Sequence, residues 1–401
     1  MTHARIIRTF HPIGQGAFYS ERYHMDEHSS FNVVFDCGVK PVTIQSKLVV
    51  RRAFSRNDNI DILFISHLDD DHISLVKTLK ETVGCIRRVV LPLINEQDAE
   101  LLHSLAMATG NIDSAHFWRS LVAAFNGDIT GEEEPRFIFI SPEEGEIGQS
   151  RGRTEMGISG HPIDSLKTDS TKPEWVYIPF CRHSERKSEL EVILLGLLED
   201  DVFMDEVCKT LLVNCNSIDD LKRLLLSGAF ADLVDNLFIK RKLQKAYTGI
   251  AGTINENSLL VYSGPFSKCQ DYYLHVPPYS FYRFFPCRHC DIKSRLVYCR
   301  VACLFTGDSD LDMGFYKYVL VDKWENVGTI QLPHHGSLKS FCYSNNREEF
   351  DKRYLFPVSF GRDNSYGHPS GRALSYLIDH RCLPILVNEN PRSSFEQFIY
   401  L

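Results

Sequence analysis

Long apolar runs are missing from this 401-residue chain. No stretch approaches the ~20 uninterrupted apolar residues of a membrane-spanning helix, so a helical membrane protein is excluded. The opening residues Met1-Thr2-His3-Ala4-Arg5-Ile6-Ile7 hold neither an apolar core nor a small-residue cleavage site, and secretion is not expected. Internal repeats and low-complexity tracts are absent. Positive charge is short as well: 44 Lys and Arg stand against 52 Asp and Glu, a net charge of −8. That balance disfavours broad, non-specific binding to a nucleic-acid backbone. It does not exclude a nuclease, because a cleft built of aspartates is itself negative until a metal binds. The local basic groups Arg51-Arg52, Arg87-Arg88, Arg182 with Arg186-Lys187, and Lys240-Arg241-Lys242 read as solvated faces.

The 12 cysteines lack the framed spacing of a disulfide scaffold. Cys37, Cys85, Cys208, Cys215 and Cys303 lie in apolar contexts and read as buried thiols of a reducing cytosol, so a cytoplasmic location is expected. Cys287-Arg288-His289-Cys290, with Cys269 upstream and Cys299 downstream, has a spacing compatible with structural zinc. The second clear pair of a zinc ribbon is not there, and ordinary thiols are the simpler reading.

What is present is a soluble globular composition, 43% hydrophobic and 24% charged, long enough for one large α/β domain or two ordinary ones. Strand and helix patterns alternate over the first ~130 residues in the α/β manner. Thr9 to Tyr19 and Phe31 to Cys37 read as strands joined by a polar hairpin. Arg88 to Leu91 reads as a strand, and Leu101 to Met107 and Phe117 to Phe125 as helices. Gly127 to Ser170 shifts to Gly, Glu, Ser, Thr and Pro around one strand, Phe137 to Ile140, and reads as an exposed, partly mobile region. Glu174 to Phe180 reads as a strand and Glu185 to Lys245 as a helical insertion. Strands return at Ser258 to Tyr262, Leu296 to Phe305 and Thr329 to Leu332, with an aromatic, Pro-rich insertion over 264–295. The expected division is 1–130, 131–250 and 251–401.

The richest run is Ile65-Ser66-His67-Leu68-Asp69-Asp70-Asp71-His72, placed between a buried strand pattern, Ile60 to Ile65, and an amphipathic helix pattern, Ile73 to Leu79. Such a cluster at a strand-to-helix turn faces a cleft. Imidazole and carboxylate are ligands of borderline and hard divalent metals. Four such groups at one strand end disfavour one another unless a cation sits among them. A helix N-cap uses one Asp and leaves His67, Asp69 and His72 unexplained. Two later strands end the same way: Cys303 to Phe305 runs into Thr306-Gly307-Asp308, and Ile330 to Leu332 into Pro333-His334-His335-Gly336-Ser337.

Together these motifs resemble the metallo-β-lactamase family. His67-x-Asp69-x-Asp71-His72 is similar to its H-x-H-x-D-H signature, with Asp in place of the second His. That variant, with Gly307-Asp308 and His334-His335-Gly336-Ser337, resembles the nuclease-like domain of ComEC-type DNA-uptake channels. His11 to Gly16, Val34 to Gly38, Asn255 to Leu260 and Gly361 to Pro369 resemble further motifs of that subfamily, in the same order. The resemblance implies an αββα sandwich, with a helical and a loop insertion, and two metal ions at one edge of the sheets. His67 and Asp69 would hold one ion; Asp71, His72 and His335 the other; Asp308 would bridge them, and Asp36 would support a ligand. Asp69 makes the site harder and favours Mn²⁺ or Mg²⁺ relative to Zn²⁺. The His that most family members place before the bridging Asp has no clear match among His103, His116, His161 and His183.

A two-metal site suits phosphodiester hydrolysis. Asp71 is the residue expected to orient the attacking water. His368 and His334 are candidate general acids or phosphate contacts, with Lys339 and Asn257 as secondary candidates. The expected function is a metal-dependent nuclease or phosphodiesterase acting on nucleic acid. The resemblance adds a role in bacterial anti-phage defence, with helices 185–245 as a substrate lid or a docking face for partner proteins of a defence operon. Hydrolysis of a small phosphodiester such as a cyclic nucleotide, and a weakly catalytic scaffold that recruits partners, remain as alternatives.

Overall fold

In a computed structural model of the chain, residues 6–25, 29–94, 96–110, 112–126, 135–141, 154–158, 161–166, 175–181, 189–227, 230–243, 245, 258–266, 273–276, 297–298, 300–341, 350 and 353–400 are described. The first sheet opens as an antiparallel meander, β1 (Ile6–Phe10), β2 (Phe18–His24) and β3 (Ser30–Cys37). It continues in parallel through β4 (Ile62–Phe64), β5 (Arg88–Pro92), β6 (Arg136–Ser141) and β7 (Thr154–Ile158). Parallel neighbours need crossovers. These are α1 (Ile44–Ala53), the pair α2 (Asp70–Ile73) and α3 (Val76–Thr82), and the pair α4 (Glu96–Thr109) and α5 (Ile112–Asn126). Helix α1 starts on a capping box between Thr43 and Ser46.

The second sheet is antiparallel through β8 (Asp164–Leu166), β9 (Trp175–Phe180), β10 (Leu260–Pro265) and, past two strands of the first sheet, β13 (Ala302–Phe305). Those two are β11 (Tyr273–His275) and β12 (Val297–Tyr298). Between β9 and β10 lie α6 (Glu189–Leu198), α7 (Asp201–Leu211), α8 (Ile218–Leu226) and α9 (Phe230–Asp235). After β13 the second sheet turns parallel: α10 (Met313–Val319), β14 (Val327–Ile330), β15 (Leu355–Ser359), α11 (Gly371–Asp379) and β16 (Leu383–Val387). The last strand, β17 (Phe395–Tyr400), returns to the first sheet beside β1.

Three apolar cores stack as four layers. Phe10, Tyr19, Phe35 and Phe64 of the first sheet pack on Tyr177, Val261 and Phe305 of the second. On the outer face of the first sheet, Val34 and Leu63 meet Val49, Leu79, Leu102 and Trp118 from its crossover helices. On the outer face of the second, Tyr262 and Leu304 meet Met313, Tyr316, Ala373 and Leu377. A strand with both faces covered is apolar on both, as Val33-Val34-Phe35 shows. This is the αββα layering expected from the sequence. Leu194, Phe203 and Leu221 of α6–α8 extend the outer helical core. Arg8 is fully buried: its guanidinium donates to Glu21, Gln397 and the Val301 carbonyl, while Glu21 accepts from Ser263 of the second sheet.

Several elements differ from the sequence reading. Thr9 to Tyr19 is not one strand, because residues 11–17 form a loop between β1 and β2. Ile73 to Leu79 is broken at Ser74-Leu75, where the Leu75 N–H donates to the Cys37 carbonyl instead of continuing a helix. Leu296 to Phe305 falls into β12 and β13, which belong to different sheets. Gly127 to Ser170 contains β7 and β8 besides β6. Cys287, Cys290, Cys269 and Cys299 lie outside the described residues. No helix among the described residues is long and apolar enough to cross a membrane.

Candidate metal centre

Strands β3 and β4, and strands β13, β14 and β15, run parallel within their sheets, so each set delivers its C-terminal residues to one edge. There the two halves of the chain meet. Asp71, His72, Asp308 and His335 each bring a ligand atom within 4.8 Å of the others, and His67, Asp69 and Asp71 form a second such group. Asp308, a member of the first group at 3.3 Å from His72 Nε2, also approaches the second, at 3.9 Å from His67 Nε2. Asp71 belongs to both groups, a sharing the sequence reading gave to Asp308 alone. Asp70 turns away, accepting from Ser114 of α5 and facing Lys40. Asp69 occupies the N-cap position of α2, yet its side chain makes no capping hydrogen bond.

Local backbone explains the placement. A register shift between β2 and β3 leaves Asp36 bulged, at φ 53°, and re-aims its carboxylate. That carboxylate accepts from the Ser66 backbone at 2.7 Å, from the Ser66 hydroxyl at 2.8 Å and from His72 Nδ1 at 2.8 Å. Gly307 sits at φ 54°, where a Cβ would stand 2.5 Å from Ser66 Cβ. The Gln331 amide holds this turn, accepting from the Thr306 and Gly307 N–H groups and donating to the Gly307 carbonyl. His334 and His335 are both left-handed, at φ 48° and 52°. Two consecutive non-glycine residues there cost roughly 1–2 kcal/mol each, and such strain concentrates at functional sites. His335 Nδ1 donates to the Ser359 carbonyl at 2.8 Å, which turns Nε2 toward Asp71 Oδ2 at 3.2 Å.

Charge follows from these contacts. Burial, then the neighbouring His72, brings His67 down to about 4. Burial, then Asp71, lifts Asp69 well above the usual carboxylate range. Burial opposes charge on His72, but Asp36 and Asp308 overcome it and raise its pKa well above the ordinary value. For His335 burial is likewise outweighed by the hydrogen bond to Asp71, and its pKa is raised. Asp71 and Asp308 are held low against burial, Asp71 chiefly by His335 and Asp308 chiefly by His72. His67 Nε2, Asp69 Oδ1, His72 Nε2 and Asp308 Oδ1 are all buried without a hydrogen-bond partner. Four orphaned ligand atoms turned toward one place fit a divalent cation, since buried polar atoms otherwise find partners.

The remaining candidates stand at the rim. His334 is part-exposed, with Nδ1 3.1 Å from the Ser340 hydroxyl and Nε2 3.9 Å from Asp308 Oδ2. The His368 ring lies 5.7 Å from that of His334. Burial, then His334, lowers His368 to about 4, so its imidazole is neutral at pH 7. Lys339 is exposed, and its charge contributes to that lowering. Asn257 and His183 lie outside the described residues. Neither group of potential ligands includes His103, His116 or His161, and His116 faces Lys77 at 2.9 Å. The sequence reading missed Ser66, Gln331, Ser359 and Asn364. The Asn364 side chain accepts from the N–H groups of Tyr366 and His368 and donates to the carbonyls of Gly361 and His368, fixing the turn that carries His368.

No curated protein matches the chain. A crystal structure of the metallo-beta-lactamase SMB-1 bound to 2-mercaptoethanesulfonate is similar at 11% identity, over 63% of this chain and 96% of that one, with a TM-score of 0.20. That score is too low to bear on the geometry. The model of the metallo-beta-lactamase superfamily matches residues 26–170, a stretch that holds Asp36 and the whole 67–72 cluster. Residues 26–170 are therefore similar to a superfamily whose members are metal-dependent hydrolases.

Proposed function

We propose that the chain is a metal-dependent phosphodiesterase that cleaves nucleic acid, DNA foremost. The observation that carries this reading is the pair of adjoining ligand groups, joined by Asp71, with Asp308 of one group approaching His67 of the other. His67, Asp69 and Asp71 would hold one ion, and Asp71, His72, Asp308 and His335 the other. Two divalent ions in such a site would neutralise charge on a phosphoryl group and make water acidic enough to attack it. Three carboxylates among six ligands favour hard ions, Mn²⁺ or Mg²⁺ ahead of Zn²⁺.

The chain's own groups complete the chemistry. Asp71 would accept a hydrogen bond from the attacking water and orient it. His334, anchored by Ser340 and facing solvent, meets the departing oxygen. His368, neutral and behind His334, contacts the phosphate as a hydrogen-bonding group; at a pKa of about 4 it is a poor proton donor at pH 7. Lys339 adds positive charge at the same rim. The likeness of the motifs to ComEC-type domains supports a nucleic-acid substrate and, by extension, a role in anti-phage defence with partner proteins on the 189–243 helices.

The test is incubation with single-stranded DNA, duplex DNA, RNA and cyclic dinucleotides under Mn²⁺, Mg²⁺ and Zn²⁺, with Asp71→Ala and His335→Ala as controls. Metal-dependent cleavage of a polymer that both variants lose is the expected result. Cleavage of cyclic dinucleotides with every polymer intact would move the assignment to a small-phosphodiester hydrolase. Absence of any bound or activating ion would sink the enzyme reading.

A further inference from the structure

A row of aromatic rings leads out of the metal centre. His334, 3.9 Å from Asp308, is followed by His368 at 5.7 Å between ring centroids and then by Tyr366 at 5.9 Å, its ring within 15° of parallel to that of His368. Tyr366 is 62% exposed. The turn beneath it is fixed, since Asn364 makes four hydrogen bonds within residues 361–368. It is also tied to the body of the molecule. The Gly361 N–H donates to Gln15 Oε1 at 3.2 Å, and Arg362 pairs with Glu389 at 2.6 Å. An aromatic ring that is largely exposed, on a turn so well anchored, adds little to folding. It is pre-organised at low entropy cost to receive something flat.

We propose that Tyr366 is the base-stacking residue of this site, receiving a nucleobase next to the phosphate that is cut, and that the substrate is therefore a base-bearing single strand. The inference rests on the phosphodiesterase reading above and deepens it. A phosphate at the ligand cluster would have His334 and His368 beside it, and the next flat group along the strand would reach Tyr366. Exposed Lys339 lies near enough to His368, the ring stacked on Tyr366, for its charge to be felt there. An aromatic face beside a cation is the usual recipe for holding a single strand without reading its sequence, because every base has a π-face. In a duplex the bases are already stacked on one another, so they are not free to occupy the ring.

The test compares a single-stranded deoxyoligomer with an abasic oligomer of the same length, and with the duplex, under the activating ion. Wild type, Tyr366→Phe and Tyr366→Ala are assayed. Stacking on an aromatic side chain changes binding by about 5- to 150-fold per base. The wild type is expected to prefer the base-bearing strand by that factor, and Tyr366→Phe to keep the preference. Tyr366→Ala is expected to bring the base-bearing strand down to the abasic level, through KM rather than kcat. Equal cleavage of both strands by wild type, retention of the preference in Tyr366→Ala, or loss of all cleavage in that variant would overturn the stacking role while leaving the phosphodiesterase standing. Failure of wild type to cut any oligomer under Mn²⁺, Mg²⁺ or Zn²⁺ would overturn the phosphodiesterase reading, and this inference with it.

Discussion

Asp36 controls the site without entering either ligand group. Its carboxylate accepts one hydrogen bond from His72 Nδ1 and two from Ser66, so His72 Nε2 is aimed at Asp308. Supports of this kind typically carry 10–100-fold in metal affinity. Asp36→Asn keeps a residue that tolerates the left-handed backbone but puts an amide donor where an acceptor is needed. It is expected to weaken Mn²⁺ binding by about that factor, with secondary structure unchanged; metal titration beside circular dichroism checks both. The site also sets a pH dependence. Asp69, His72 and His335 hold their protons above the ordinary range, and each must lose a proton to act as a ligand. A metal ion therefore competes with protons to a higher pH than free carboxylate or imidazole would allow. Affinity should rise with pH, and binding at pH 7 should release protons. Calorimetry in buffers of different ionisation enthalpy would detect that release, and a pH-independent affinity would contradict it.

At the level of elements, each part of the site depends on one place where regular structure stops. Strand β13 ends at Gly307, whose φ of 54° and approach to Ser66 no side chain can share. Gly307→Ala combines a left-handed alanine, roughly 1–2 kcal/mol, with an overpacked contact, roughly 1–3 kcal/mol. The expected result is a loss of about 2–5 kcal/mol in urea unfolding, together with weakened metal binding because Asp308 is the next residue. The same stops explain what the sequence disclosed. The ligand residues were legible because His and Asp in quantity at the end of an apolar strand have few other uses, and because the 67–72, 306–308 and 333–337 segments repeat that design. Their supports were not. Ser66, Gln331, Ser359 and Asn364 are ordinary turn and strand residues in a sequence, and what they hold depends on where a distant backbone passes. Strand lengths failed for a related reason. Residues 11–17 read as a continuation of β1, but the Ala17 N–H is taken by the carbonyls of Gly38 and Asp71, so the chain leaves the ladder there. Leu296 to Phe305 is apolar enough for one strand, and only tertiary structure shows that its two ends serve different sheets.

At the scale of the whole molecule, several links join the two sheets among the described residues, and two of them differ in kind. One is apolar-bound and permanent: Arg8 and Glu21 of the first sheet reach Ser263 of the second from inside the core. Arg8→Met would leave the Glu21 carboxylate buried without its partner, and removing one member of a buried pair typically costs about 3–5 kcal/mol. The other cross-link is the metal centre. His67, Asp69, Asp71 and His72 follow a strand of the first sheet, while Asp308 and His335 follow strands of the second. A divalent ion held between them binds the folded arrangement and not the unfolded chain, in which these residues lie more than two hundred positions apart in sequence. Its effect on stability is then set by mass action, about 2.7 kcal/mol at an ion concentration one hundred times the dissociation constant. Mn²⁺ should therefore raise Tm in a concentration-dependent manner, and a chelator should return it to the starting value. Asp308→Asn should remove most of the shift, because it weakens a carboxylate that faces histidines of the 67–72 cluster from the second sheet. A Tm that Mn²⁺, Mg²⁺ and Zn²⁺ all leave unmoved would mean that the two strand ends meet for another reason than to share a metal.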